Sequence, residues 1–310
     1  MTRSFHAAAA SLLLAMPACS AASGATLKVG PGAEYSQPSA AIRAADAGDT
    51  ILIAPGQYFD CAAVRAPRLT IEGSGDPASV VMTDKTCNGK ALLVIDAPDV
   101  TVKNLTLTRA RVPDGNGAGI RMEGGSLTVD NVHFVNNQDG ILTAAGPWTL
   151  TITNSLFDKN GVCQHSCAHG VYAGAIAKLI VRNSRFTDTH EAHHIKSRAQ
   201  FTEVTGSTIE DGPDGTGSYE IEVPNGGTLI ARNNTIEKGP RAQNHTAAII
   251  IGDEGVTQPT GEITVENNTF TNDMPYRTAF VDNITATEAK LRGNKLHGAV
   301  DALKGDGTSN

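Results

Sequence analysis

Val100-Thr101-Val102-Lys103-Asn104-Leu105-Thr106-Leu107 alternates apolar and polar residues, turns at Asn, and closes on a second apolar pair. The phrase returns at 127–134 (LTVDNVHF), 150–157 (LTITNSLF), 179–186 (LIVRNSRF), 201–209 (FTEVTGSTI), 229–236 (LIARNNTI), 263–270 (ITVENNTF) and, degenerating, 289–296 (AKLRGNKL). The intervals run from 23 residues (Asn131 to Asn154) to 34 (Asn233 to Asn267). A second short apolar segment follows most copies, around Ile120, Ile141, Val171, Ile195, Ile221 and Ile249. Each repeat therefore holds at least two strands.

Strands of three to five residues with period-two alternation, broken by Gly, Asn and Asp and without long amphipathic helices, cannot build a doubly wound sheet; they build a solenoid. One coil cannot bury its inward Val, Ile, Leu and Phe, but coils stacked about 4.8 Å apart pile like positions into apolar ladders and share strand hydrogen bonds. The Asn column reads as structural, because Asn tolerates the left-handed backbone of a tight turn and its amide reaches the next coil. Residues 36–46, with Ala41, Ile42 and Ala45 on one side, read as a short helix covering the first coil, whose edge and core would otherwise be bare.

Outward from the repeats, residues 1–25 have the order of a secretory signal peptide: Arg3, an apolar run over 7–15, Pro17, then small residues. Cleavage after Ala22 or Ala25 is expected, with lipidation at Cys19 the alternative. The solenoid is expected over 26–303 and a frayed polar tail over 304–310. The apolar run is shorter than the roughly 20 residues that span a bilayer. A secreted or periplasmic location follows, where the other four cysteines can form bridges. Of three pairings, Cys61 with Cys87 is favoured because their 26-residue separation matches a coil, leaving Cys163 to pair with Cys167. The competing reading of Cys163 and Cys167, a zinc site completed by His165 and His169, needs all four ligands to converge. A net charge of −7 disfavours a nucleic-acid partner.

The coils, the Ala-Ile-Arg-Ala-Ala stretch at 41–45 and the segment GDTILIAPGQY at 48–58 resemble the bacterial pectate-lyase-like superfamily. That resemblance implies an all-β, single-stranded right-handed parallel β-helix of roughly ten coils with an N-terminal capping helix. Within it, HGVY at 169–172, IKSRA at 195–199 and SYEIEVPNGG at 218–227 are similar to a largely uncharacterised group. Lys196-Ser197, preceded by Glu191, also resembles the Lys-Ser stretch of alginate and chondroitin lyases of this fold, which implies a lysine base assisted by an arginine. Those lyases carry the arginine on the next coil, where this chain has Glu220 and Glu222; here the nearby arginine is Arg198.

If Ile120, Ile141, Val171, Ile195 and Ile221 form one inward ladder, their neighbours face outward. Arg121, Leu142, Tyr172, Lys196 and Glu222 then form an outer column, with His194 and Glu220 one pleat before it and Arg198 one pleat after. β-Elimination from a uronic acid, or C5 epimerisation, needs a base at C5, a cation on the carboxylate and a proton donor; Lys196, Arg198 and Tyr172 fit those roles, with His194 helping to lower the lysine pKa. Glu220, Glu222, His169, Arg121 and Asn225 are the expected substrate-binding residues, and the carboxylates suggest a Ca²⁺ site. The alternative is a non-catalytic glycan-binding or structural face on which Lys196 pairs with Glu222 and Arg198 with Glu220. A hydrolase built on Glu220 and Glu222, with Asp253 and Glu254 on the next coil, ranks lower, since flanking cations keep carboxylates ionised. Histidines 190, 193 and 194 as a metal site fail on the alternation of faces. The connections at 161–169 and 252–261 are the expected walls of the site. An acidic polysaccharide is the expected partner and a monomer the expected state; no organic cofactor is indicated.

Overall fold

A computed structural model of the chain describes residues 1, 2, 4 and 24–310. Most of the expected leader, with the cleavage point after Ala22 and with Cys19, lies outside the described residues. From Thr26 onward the chain winds as a parallel solenoid of about 11 turns, with three strands per full coil rather than the two legible in the sequence. The strands stack into parallel sheets of 12, 10 and 10 members. The first sheet carries the strands that end at the Asn turns, such as Val100–Lys103 and Leu127–Asp130. The second carries the short strands just after them, such as His133–Val135 and Leu156–Asp158. The third carries the Ile ladder, including Val171–Ala173, Ile195–Ser197 and Ile221–Val223.

The Asn turns are left-handed: φ is 57° at Asn104, 53° at Asn131, 51° at Asn154, 49° at Asn183, 56° at Asn233 and 55° at Asn267. Where the column lacks Asn the position is Gly, with φ of 62° at both Gly206 and Gly293, the backbone region glycine enters without penalty. Asn131 donates its side-chain amide to Asn104 Oδ1 across one coil at 3.0 Å. A second column, one residue on, is buried and runs Ser155, Ser184, Ser207, Asn234, Asn268, each side chain satisfying the backbone N–H of the preceding coil. Unpaired donors are costly at such a buried corner, and this ladder supplies their acceptors.

Inside, one continuous core runs the length of the solenoid. Phe134, Phe157 and Phe186 stack at centroid distances of 4.6 and 4.5 Å with nearly parallel rings. Helix Pro38–Ala44 buries Ala41 and Ile42 into the same core, over the start of the coil stack. The Cys61–Cys87 and Cys163–Cys167 disulfides are both formed. The segment expected as a tail carries strands: Val300–Gly305 joins the third sheet against Thr278–Asn283, and Gly307–Ser309 joins the first. Parallel pairing needs only backbone groups, so a polar, Gly-rich segment can still add a strand. Among the described residues no helix is long and apolar enough to cross a membrane.

Candidate functional site on the third sheet

Register in the third sheet places Arg121, Leu142, Tyr172, Lys196, Glu222 and Ile250 in one column, beside the inward ladder of Ile120, Ile141, Val171, Ile195, Ile221 and Ile249. The outward alternation expected from the sequence thus sets Tyr172, Lys196 and Glu222 on three successive coils. Arg121 lies two coils from Tyr172, beyond Leu142, and its guanidinium pairs with Glu123 at 2.8 Å. It stands apart from the cluster.

Lys196 is nearly enclosed. Its ammonium lies 2.9 Å from Glu222 and 2.6 Å from Glu254. Burial would lower its pKa, but the two carboxylates outweigh burial and raise it. Held as a cation, Lys196 is a poor resting base, contrary to the role implied by the lyase resemblance. Arg198 follows the strand; its Nε donates to the Tyr172 hydroxyl at 2.8 Å, its Nη2 to Glu254 at 2.5 Å, and its Nη1 to Asn225 Oδ1. Arg198 therefore does not pair with Glu220. Both cations sit over the Tyr172 ring, Arg198 at 5.6 Å and Lys196 at 6.0 Å from its centroid, within cation–π reach.

Glu222 receives a second partner that the sequence reading passed over: His193 Nε2 lies 3.0 Å from its carboxylate. Burial pushes the Glu222 pKa up, yet His193 and Lys196 prevail and hold it at about 2. The His193 ring stacks between His169, at 4.8 Å, and Tyr219, at 5.1 Å. Its Nδ1 accepts the Tyr219 backbone N–H, as His169 Nδ1 accepts that of His193. Burial foremost, then the nearby His193, Lys196 and Arg198, drive the His169 pKa well below its ordinary value, so its ring is neutral. His169 packs edge-on against Tyr172 at 5.3 Å, so it does belong to the cluster.

His194 and Glu220 do not. His194 is fully buried, with Nδ1 2.7 Å from the Thr189 hydroxyl and Nε2 3.0 Å from Asp211. Glu220, also fully buried, lies 3.2 Å from the Lys238 ammonium, which donates to the Ser218 carbonyl. Each of His194 and Glu220 is the last residue of a connection, 188–194 or 211–220, immediately before its third-sheet strand. The entry to Ile195–Ser197 passes two left-handed residues, Glu191 (φ 55°) and Ala192 (φ 47°), so strand alternation does not extend back through the connection. The carboxylates suggested for Ca²⁺ are consequently separated, Glu220 toward Lys238 and Glu222 toward Lys196 and His193. Among the described residues no group of three or more His, Cys, Asp or Glu is placed to hold a metal ion. Cys163 and Cys167 bridge each other and leave no thiolate for zinc.

Both expected walls border this region. The hairpin of Val162–Cys163 and Cys167–Ala168 precedes His169, and the Cys163 backbone N–H donates to Glu191 at 2.5 Å. On the other side Glu254, from the connection between Ala247–Ile251 and Ile263–Glu266, reaches back over two coils to Lys196 and Arg198. Its neighbour Asp253 has a pKa raised to about 6, by burial first and then by Glu222.

Three parallel sheets, a buried Asn/Ser corner and a polar outer face walled by loops define a parallel β-helix. Residues 145–309 match the family model described as the right-handed β-helix region, and the chain belongs to that family. No curated protein matches the sequence. Among solved structures, an alginate lyase from Paenibacillus sp. FPU-7 is similar at a TM-score of 0.61 and 17% identity, over 92% of this chain and 99% of that one. A pectate lyase is similar at 0.56 and 15% identity, over 90% of this chain and 79% of that one. A Geobacillus virus E2 protein is similar at 0.53 and 12% identity, over 86% and 55%. At these identities the likeness is one of fold.

Proposed function

We propose that the outer face around Lys196, Arg198 and Tyr172 binds an acidic polysaccharide, whose uronate carboxylates are taken by the two cations. The observation that carries this reading is the placement of both cations over one tyrosine ring. A guanidinium presents a planar fork that matches a carboxylate, and a lysine adds a point charge beside it. The Tyr172 ring offers an apolar surface with a polar tip to a sugar. The polysaccharide lyases of the same fold, and the two disulfides, support a carbohydrate-facing protein in an oxidising compartment outside the cytoplasm.

A second reading, β-elimination or C5 epimerisation at the same face, is favoured by the 2.8 Å contact between Arg198 Nε and the Tyr172 hydroxyl. Arg198 would neutralise the carboxylate and so acidify C5–H, with Tyr172 rather than Lys196 exchanging the proton. In elimination Tyr172, deprotonated, takes the C5 proton, the C5–H electron pair becomes the C4–C5 double bond, the C4–O bond breaks, and Tyr172 returns the proton to the departing oxygen.

Affinity electrophoresis through alginate, polygalacturonate and neutral dextran tests binding. Wild type is expected to be retarded by a polyuronate and not by dextran, with Arg198→Ala weakening the interaction at least about tenfold, the loss of one charge-assisted pair. Migration of wild type and of Glu254→Ala alike indifferent to both polyuronates would overturn the reading. Ultraviolet absorbance of the unsaturated product, with wild type against Tyr172→Phe and Lys196→Ala, separates elimination from binding alone.

A further inference from the structure

Within the face just described, Lys196 and Arg198 supply two positive charges and Glu222 and Glu254 two negative ones, all four joined by contacts of 3.0 Å or less. An anionic sugar cannot add to such a balanced set without displacing a carboxylate. The two candidates differ sharply. Glu222 is buried, with 2% of its side chain exposed, and is held by His193 as well as by Lys196. Glu254 leaves 40% of its side chain exposed, and among the described residues its ion pairs are with the two cations the substrate would need.

Glu254 also sits on backbone built differently from the sheet. It follows Gly252 (φ 89°) and precedes Gly255 (φ 93°), in a turn closed by the Gly255 N–H to Gly252 carbonyl bond at 3.1 Å. Its carboxylate bridges the cations with one oxygen each, Oε1 on Lys196 and Oε2 on Arg198, the mode in which a hexuronate carboxylate would engage the same pair. We infer that Glu254 is an internal stand-in for the substrate carboxylate: it occupies a uronate subsite formed by Lys196 and Arg198 and must swing away for a polyuronate to bind. This inference rests on the reading of the face as a polyuronate site.

The consequence is a specificity threshold. A neutral glycan gains nothing from displacing Glu254, whereas a polyuronate replaces it with a carboxylate of its own. Removing the stand-in relieves the competition, because apparent affinity is reduced by the fraction of molecules whose site is closed.

The test compares wild type, Glu254→Gln, Glu254→Ala and Arg198→Ala by affinity electrophoresis in polygalacturonate, alginate and dextran at fixed ionic strength. Both Glu254 variants are expected to bind polyuronate about tenfold more tightly, as an open state populated at about one part in ten requires, with dextran unaffected. Polyuronate binding by the Glu254 variants alone, with wild type unretarded, also supports the inference. Wild-type binding that Arg198→Ala abolishes but that both Glu254 variants leave unchanged or weaken would overturn it and leave the proposed function standing. No retardation of any of the four proteins would remove both.

Discussion

His193 Nε2 stands 3.0 Å from Glu222 Oε2, and the same carboxylate carries the Lys196 ammonium at 2.9 Å. Glu222 is thereby fixed as the buried anion of the face. Its pKa is brought from 4.5 to about 2 despite the opposing effect of burial. A carboxylate depressed in the folded state adds stability that is complete above its unfolded value and is lost as pH falls through the folded one. Glu222→Gln should therefore lower stability near neutrality by about 3 kcal/mol. It should also flatten the decline in thermal midpoint between pH 4.5 and about 2 relative to wild type. Equal slopes for the two proteins would show that the pair contributes nothing to folding.

Lys238 and Glu220 are each fully buried and 3.2 Å apart, with Asp211 and His194 beside them. Burial pushes the Glu220 carboxyl well above the ordinary carboxylate range; removing Lys238 leaves that carboxyl unpartnered in a dry interior, which costs about 1–3 kcal/mol, while replacing both with apolar side chains is far better tolerated. Lys238→Met is expected to reduce the urea midpoint strongly and Lys238→Met with Glu220→Leu to restore most of it. A double variant as weak as the single would contradict this account.

Phe157 is the middle ring of the Phe134–Phe157–Phe186 stack and is wholly buried. Phe157→Ala should cost about 3–5 kcal/mol, and Phe157→Leu markedly less. Chemical denaturation reads both; equal losses would mean that stacking, not volume, dominates at this position.

Asn183 adopts φ 49° at the tight corner. Gly enters that region freely and a β-branched residue does not. Asn183→Gly should stay within about 1 kcal/mol of wild type while Asn183→Val loses about 1–3 kcal/mol, as judged by thermal midpoints. Comparable effects of the two substitutions would point to the side-chain amide rather than the backbone as the source of the Asn preference.

Much of this architecture can be read from the chain because period-two alternation leaves little freedom: once Ile141, Val171, Ile195 and Ile221 point inward, Leu142, Tyr172, Lys196 and Glu222 must share the outer column, and the register agrees. The same logic stops at the strand ends. Alternation carried one residue back from Ile195 puts His194 on the outer face, but the connection there turns through Glu191 and Ala192. Glu254 lies 58 positions from Lys196 in sequence, and how a loop folds back over neighbouring coils is set by its own turns, which no periodicity encodes. His193 was legible only as one of several histidines, because its partnership with Glu222 depends on that same turn. The third strand of each coil was hidden in the three or four residues after each Asn, too few to show a period of their own.

From Asn104 to Asn183 the corner keeps two residues between the first-sheet and second-sheet strands, whereas the connections on either side of the third sheet range from one residue, between Gly298 and Val300, to twelve, between Asp158 and Val171. Along the Asn file, insertions are thus absorbed where the chain borders the charged face and not at the corner, where one added residue would break the Asn and Ser files; the one longer corner, Ser74–Ser79, lies before the file begins. A scaffold of this kind separates two kinds of heredity: the spine can be inherited unchanged while the rim around Lys196 and Arg198 is rewritten, loop by loop.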